Sequence, residues 1–428
     1  MGAGGSAGIR RKKKMGKGKG TIPGECLVHH SPSSCLGGRG EGVRRRLGAA
    51  GIGVVVAALV LGMAGCGGPG AQGDVVKIGV SAPITGNIAA IGESTEKAIR
   101  LAEEEINAQG GIDVGGRKMK VQFIIEDDEN KPESTASVFQ KLITQDQVVA
   151  IIGSQSSSAS NAGAPIANDA GVPMISPWAT NPNVTKDKPY VFRAAFIDPF
   201  QGYVMAKFAY ENLGARKAAV LYDVAQDYNK GLAEVFRNEF TKMGGQITAY
   251  ETYTTGDRDF SAQLTSIKAT DPDVLFLPNY YSEVPLQVSQ ARRLGIDAII
   301  LGGDGWDSPE LLNLGGQDLE GSYFSNHYSA EADTPKVKEF VEKYKAKYGT
   351  TPDAAAALTY DSAYILFQAI QRAGSLDRPK IRDAIAATQN FEGVTGTISY
   401  QGSGDPVKPA VILKIENGGF KYETTINP

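Results

Sequence analysis

Short apolar runs rich in β-branched residues alternate along this chain with longer amphipathic stretches. The first run, Val75–Val80 (VVKIGV), predicts a buried strand. A Gly-containing loop (PITGNIAAIG) leads into a predicted helix over Glu93–Gln109. Its Ala98, Leu101, Ala102 and Ile106 fall at helical spacing, and Gly110-Gly111 stops it. The cycle repeats, with strands over 120–125, 148–152 and 172–175 and helices over 133–144 and 160–169. It restarts at Phe200 with helices over 200–213, 229–243, 259–268 and 283–294. Strands over 218–222, 247–253, 274–278 and 298–301 alternate with them. Repeated β-α units with short links predict parallel sheets covered by helices on both faces, and two such runs predict two doubly wound lobes. Helices over 335–348, 354–373 and 378–388 then precede strands at Gly396–Tyr400 and Pro409–Glu416. These close the second sheet if the chain crosses between lobes three times.

The 428 residues exceed one core, which agrees with two lobes. With 42% hydrophobic and 21% charged residues, disorder over the whole length is excluded. The charge is split. Residues 1–65 hold 11 Lys+Arg and 2 Asp+Glu, a net of +9, and the remainder holds 33 and 45, a net of −12. The acidic body argues against nucleic acid as a partner, since phosphate binding needs a Lys/Arg surplus. The cysteines are Cys26, Cys35 and Cys66, and the histidines His29, His30 and His327. A disulfide framework, a Cys-ligated metal and a His-rich metal centre are therefore not expected in the body, and no cofactor is.

The basic head ends in VRRRLGAAGIGVVVAALVLGMAGC, residues 43–66. Three arginines precede an apolar run and small residues before Cys66, the layout of an export signal. It resembles a bacterial lipoprotein signal, in which Cys66 is lipidated and becomes the new N-terminus, although Met63 stands where Leu is usual. A transmembrane anchor is the alternative, and the run is marginal for a ~20-residue span. Either reading places the body outside the cytoplasm, membrane-anchored, with Arg44–Arg46 inside. Residues 66–74 read as a linker. Residues 1–42 show no apolar periodicity and read as a non-native or disordered extension from a start placed too early.

In open α/β sheets ligands sit beyond the carboxyl ends of strands. There the chain carries GSQSSSAS after 148–152, SPWATNP after 172–175, DVAQDYNKG after 218–222, NYYSE after 274–278 and GGDGWD after 298–301. These loops offer hydroxyls, an anion-friendly helix start, a carboxylate and aromatic walls. A free amino acid needs that set. Taken singly, a Ser-rich turn is a helix cap and Asp304 a turn former; the inference lies in the combination.

These motifs, with IGVSAPITG, INAQGGI, DFSAQL and QARRLG, resemble the leucine/isoleucine/valine-binding proteins. That family comprises type I periplasmic binding proteins of branched-chain amino acid ABC transporters. The resemblance covers about residues 75–420. It implies a type I periplasmic binding fold, α/β, with two doubly wound parallel-sheet lobes joined by three crossovers around a ligand cleft. Lobe one is then 75–195 with 327–394, and lobe two 198–325 with 397–425. The resemblance also implies a site. Ser157 and Thr180, with backbone N–H groups of their loops at Ser158 and Ala179, hold an α-carboxylate. Thr180 also faces the ammonium, Tyr228 and Tyr280 line the cleft, and Asp304 pairs with the ammonium. Trp178 forms a pocket wall, because some relatives have an aromatic near Ile91 and a small residue near Trp178. A disulfide of some relatives falls at Asn130 and Ser156, and is missing here.

The implied protein is a monomeric amino-acid receptor that serves an ABC permease and hydrolyses nothing. Gly16–Gly20 (GKGKG) lacks Walker A spacing, no G-x-S-x-G elbow occurs in the body, and His327, near a crossover, reads as structural. A ligand sensor, an enzyme on a similar frame, or a binder of an amide, urea or aromatic acid are the alternatives. No transmembrane or signalling segment follows the last strand, which favours transport. N-terminal sequencing of the unprocessed precursor is expected to begin at Val43; a product beginning earlier overturns the late start.

Overall fold

The computed structural model describes residues 75–428. The extension, the export signal, Cys66 and the linker lie outside the described residues. The first cycle gives β1 (Val75–Ala82), α1 (Ala89–Ala108), β2 (Ile112–Val114), β3 (Arg117–Asp127), α2 (Pro132–Thr144), β4 (Ala150–Ile152), α3 (Ser157–Asp169), β5 (Met174–Ser176) and β6 (Val191–Arg193). The second gives α4 (Asp198–Lys207), β7 (Lys217–Asp223), α5 (Asp227–Lys242), β8 (Gln246–Tyr253), α6 (Ser261–Ala269), β9 (Val274–Leu277), α7 (Val284–Arg293), β10 (Ile299–Gly302), α8 (Pro309–Gly315) and β11 (Tyr323–Asn326). The remainder forms α9 (Pro335–Tyr348), α10 (Ala354–Ala373), α11 (Arg378–Ala386), β12 (Phe391–Gly393), β13 (Gly396–Ile398), β14 (Ala410–Glu416) and β15 (Gly419–Ile426).

One sheet runs β2-β3-β1-β4-β5-β6 and the other β15-β14-β11-β10-β9-β7-β8. Each has a five-stranded parallel core in which the winding direction reverses, between β1 and β4 and between β7 and β9. Such reversals open a crevice beyond the strand ends. Burial explains the continuous apolar runs. Ile78–Ala82 of β1 and all four residues of β9 are buried because helices cover both faces. Helix α10 is buried nearly all round, between α1 and α11, and its run Ala354–Ala357 lets neighbouring backbones come close.

The parallel cores agree with the doubly wound expectation, and antiparallel strands extend them at the edges. Strand β2 is antiparallel to β3, while β14 is antiparallel to both β11 and β15. Residues 396–400 do not close the second sheet. Strand β13 pairs only with β12, and the turn between them is anchored to α10: Val394 N and Thr395 N donate to Asp361 at 2.7 and 2.9 Å. The expected helix 200–213 is α4 continued by a wide π-helical turn at 208–212.

The chain passes between sheets after β6, after β11 and again before β14. Near the second passage, Asp307 in the turn after β10 accepts from Asn326 Nδ2 at 2.9 Å. It also accepts from Ala354 N of α10 at 2.7 Å, so it reaches a helix that packs on the other sheet. The N-cap Asp353 accepts from Ala356 N at 2.8 Å and from Ser94 of α1 at 2.5 Å. Burial pushes both carboxyls up, Asp353 further because Asp307 is beside it and Asp307 further because of Asp304. The folded form therefore holds protons that the unfolded chain, with carboxyls near 3.9, releases. Stability from this pair is full below about pH 4 and declines as pH rises through the folded values, since the folded state binds more protons there. Denaturant titrations from pH 4 to 7 should show the decline, at ~1.4 kcal/mol per tenfold change in proton affinity. Asp353→Asn should flatten it; a variant slope equal to the parent's contradicts the assignment.

Candidate functional site

Strand β4 ends at a turn only glycine can make. Gly153 has φ +125°, and a Cβ there would lie 2.2 Å from Ser81 O. Ser154 then turns inward. Its hydroxyl meets Ser81 Oγ at 2.7 Å, and its carbonyl accepts from Ser160 and Ser176 at 2.9 and 3.0 Å. Ser81 in turn donates to Asp128, whose carboxyl burial pushes up. With the loop's base tied down, Gln155, Ser156 and Ser157 face the crevice. Ser156 caps α3 and donates to Asn130 Oδ1, so a hydrogen bond joins the two positions at which the family resemblance pointed to a missing disulfide. Ser157 begins α3, where first-turn amides lack helical partners, and its hydroxyl accepts from Asn181 N at 3.2 Å.

The loop after β5 is held from behind by Arg193 of β6. This side chain is wholly buried. It donates to Ala179 O at 2.6 Å, to Asn181 O at 2.9 Å and to Thr185 Oγ1 at 3.0 Å, and ion-pairs with Asp405 at 2.6 Å. The clamp fixes the backbone that presents Trp178, Ala179 and Thr180. Two polar atoms of this loop are buried without a protein partner, Trp178 Nε1 and Thr180 Oγ1. The Thr180 hydroxyl lies near the Asp198 carboxyl, pushed up to about 7 by burial, without completing a hydrogen bond to it.

The second sheet contributes Tyr228 from the first turn of α5, Tyr280 from the loop after β9 and Asp304 from the turn after β10. The glycines around Asp304 are required by packing. A Cβ on Gly302 would lie 2.1 Å from the Trp306 ring, and one on Gly303 would lie 2.5 Å from the Tyr228 hydroxyl. Tyr228 stacks on Tyr280 at 5.3 Å, and Trp178 packs on Tyr280 across the crevice at 6.0 Å. Asp304 Oδ1 accepts from Gln201 Nε2 at 2.7 Å, and Oδ2 bonds His327 Nε2 at 2.9 Å. Burial holds His327 below its ordinary pKa although Asp304 pulls it up. The ring is neutral near pH 7, and because a carboxylate can only accept, Nε2 carries the proton. The ring also stacks on Phe196 at 3.8 Å, which joins the first and second passages between sheets. Burial first, and Asp304 second, raise the Tyr228 and Tyr280 phenols, so both stay protonated.

Gln155, Ser156, Ser157, Trp178, Ala179, Thr180, Tyr228, Tyr280 and Asp304 line one small cavity of about 10 Å³. Seven of the eight residues expected from sequence thus come together. Ser158 does not line the cavity, because its hydroxyl accepts from Asp227 N at 2.9 Å and so links α3 to α5. Asn161 and Asn181 also donate to Asp227, at 2.7 and 3.2 Å, and Ala90 N donates to the Tyr281 hydroxyl at 3.0 Å. The lobes are therefore closed on each other, and every wall residue is at most 3% exposed. Ile91 is buried in α1 and absent from the wall. The loop motifs did not single out Gln155 and Ser156 on the wall, or Arg193, Gln201 and His327 behind it. The only signal for His327 was its being the sole histidine of the body.

The model of the family described as periplasmic binding protein matches residues 75–419. A Leu/Ile/Val-binding protein homolog 3 of Brucella melitensis is 31% identical over 346 residues, covering 80% of this chain and 92% of its own. Among solved structures, a leucine binding protein, LivK, from Thermotoga maritima is 43% identical with a TM-score of 0.79. The match spans 82% of this chain and 99% of that one. The branched-chain amino acid transporter substrate binding protein LivJ from Streptococcus pneumoniae, in complex with isoleucine, is 37% identical with a TM-score of 0.78. It covers 83% of this chain and 100% of its own. Matched in two lobes, in loops and over nearly the whole described length, the chain belongs to the periplasmic binding protein family, among the Leu/Ile/Val-binding proteins and their homologues.

Proposed function

We propose that this protein is an extracytoplasmic receptor that closes its lobes around one amino acid, branched-chain or otherwise apolar, and delivers it to the permease of an ABC transporter. The observation that carries this reading is the pairing of opposite chemistries across one closed cavity. On one side stand the N-terminus of α3, where Ser156 caps the amide of Ala159, and the unpartnered Thr180 hydroxyl, which suit an α-carboxylate. On the other stands the Asp304 carboxylate, which no Lys or Arg among the described residues pairs with. Each of its oxygens accepts one protein hydrogen bond and keeps room for another, as an ammonium requires. Tyr228, Tyr280 and Trp178 supply the apolar surface. The lobes, 75–195 with 327–394 and 198–325 with 397–425, move about the three passages as hinged bodies.

In this reading Cys66 carries a lipid that tethers a monomer to the outer face of the membrane, and the protein catalyses no reaction. The lone body histidine supports the last point. It is engaged by Asp304 through Nε2 and stacked on Phe196, which leaves no serine–histidine pair. A solute without an ammonium would leave Asp304 buried and unpaired, which counts against an amide, urea or aromatic acid.

Unfolding and refolding the protein to strip bound ligand, followed by a thermal-shift panel of amino acids, amides and small carboxylates, tests this. Ligand at ~100-fold over its Kd should add ~2.7 kcal/mol for one group of amino acids. Asp304→Asn should weaken that binding by ~2 kcal/mol or more, about 30-fold. A shift only with compounds lacking the ammonium, insensitive to Asp304→Asn, would overturn the assignment.

A further inference from the structure

One stretch of the cavity wall carries polar atoms that the amino acid's common groups do not use. Gln155 is fully buried, donates Nε2 to Thr359 Oγ1 of α10 at 3.2 Å, and leaves Oε1 without a partner. Trp178 is 3% exposed, and its Nε1 is also unpartnered. Both line the cavity. Buried polar groups are almost always hydrogen-bonded, and each exception asks for an explanation. An indole nitrogen can only donate. A carboxamide presents either its oxygen or, turned over, its amino group, and the Thr359 hydroxyl can serve either orientation.

These two atoms stand apart from the groups assigned above. Ser157 is tied to Asn181, at the start of α3. Asp304 is tied to Gln201 and His327, toward the passages between sheets. Gln155 is tied instead to α10, a third direction. With carboxylate and ammonium held elsewhere, that direction is left for the side chain.

We propose that Gln155 and Trp178 form a polar end to the side-chain subsite, selecting an amino acid of aliphatic size whose side chain bears a hydroxyl or primary amide, and so favouring threonine over its isostere valine. This rests on the amino-acid reading above and replaces its apolar side chain with a polar one. A hydroxyl accepts from Trp178 Nε1 and donates to Gln155 Oε1, whereas a methyl group leaves both orphaned in a dry cavity. Sites built to hydrogen-bond a substrate hydroxyl reject the analogue lacking it far more strongly than apolar pockets sort methylenes.

Calorimetric titration of the refolded, ligand-stripped protein with threonine, valine, asparagine and leucine tests this. Threonine should bind at least about tenfold tighter than valine, one direct hydrogen bond's worth of discrimination. Gln155→Leu and Trp178→Phe should each bring that ratio toward one. Melting of the ligand-free variants shows whether they fold, and the parent's own ratio needs no variant. Equal binding of threonine and valine by the parent, or a ratio that neither variant alters, overturns the polar subsite while leaving the amino-acid reading intact. Binding of no amino acid overturns both.

Discussion

A carboxylate sealed from water without a protein cation is the constraint around which this molecule is arranged. Asp304 is 2% exposed, and its hydrogen-bond donors are a neutral imidazole and a carboxamide. Such donors orient a carboxylate without cancelling its charge. Closing the lobes over it with nothing inside removes water and supplies no counter-charge, which is costly. A bound ammonium supplies it. Closure and occupancy are thus linked by differential interaction with the two forms of the protein, which is what a receptor that signals occupancy by shape requires. His327 adds a mechanical side to the same link. The ring that holds Asp304 also stacks on Phe196, so in the proposed reading the group that would meet the ligand is attached to the segments that would bend.

The closing contacts themselves are few and polar. Asp227 gathers three of them, from Ser158, Asn161 and Asn181, and Tyr281 receives one from Ala90. At ~1 kcal/mol net each, such bonds hold a closed form without making it irreversible. The lobes' own sheets, by contrast, are buried on both faces. That difference separates a rigid pair of bodies from the labile seam between them. Ser158 shows the division within one helix turn: Ser157 faces the cavity and Ser158 faces the opposite lobe.

The alternation of apolar runs and amphipathic stretches made the two wound sheets legible, because each strand is short, β-branched and buried on both faces. It also placed the loops at the strand ends, and with them Ser157, Thr180, Tyr228, Tyr280 and Asp304. What escaped has physical reasons. Strands β2, β6 and β11 read IDV, VFR and YFSN, with a charged or polar residue in each, so no apolar run marks them. Strand β15 sits at a sheet edge with a half-exposed polar sequence, so no apolar run marks it. Residues 396–400 share the composition of a sheet strand, but a buried carboxylate on α10 holds the neighbouring turn away from the sheet. Arg193, Gln201 and His327 act on the site from behind, and their partners are far away in sequence. Only the folded chain brings Gln201 and Asp304, 103 positions apart, within 2.7 Å.

The Asn130–Ser156 contact bears on how rigid the ligand loop must be. Residues exported from the cytoplasm can be disulfide-linked, but neither of these two is a cysteine. Here a hydrogen bond does the same local work, and Asn130 is fixed in turn by donating to Asn87 at 2.9 Å. The loop needs no covalent tie, because its other side is already anchored by the Ser81–Ser154 contact and by two hydroxyls on the Ser154 carbonyl. With the base of the loop over-determined by the core, the buried Asn130–Ser156 link need not be covalent. The geometry of Gln155, Ser156 and Ser157 is thus set by hydrogen bonds within one lobe.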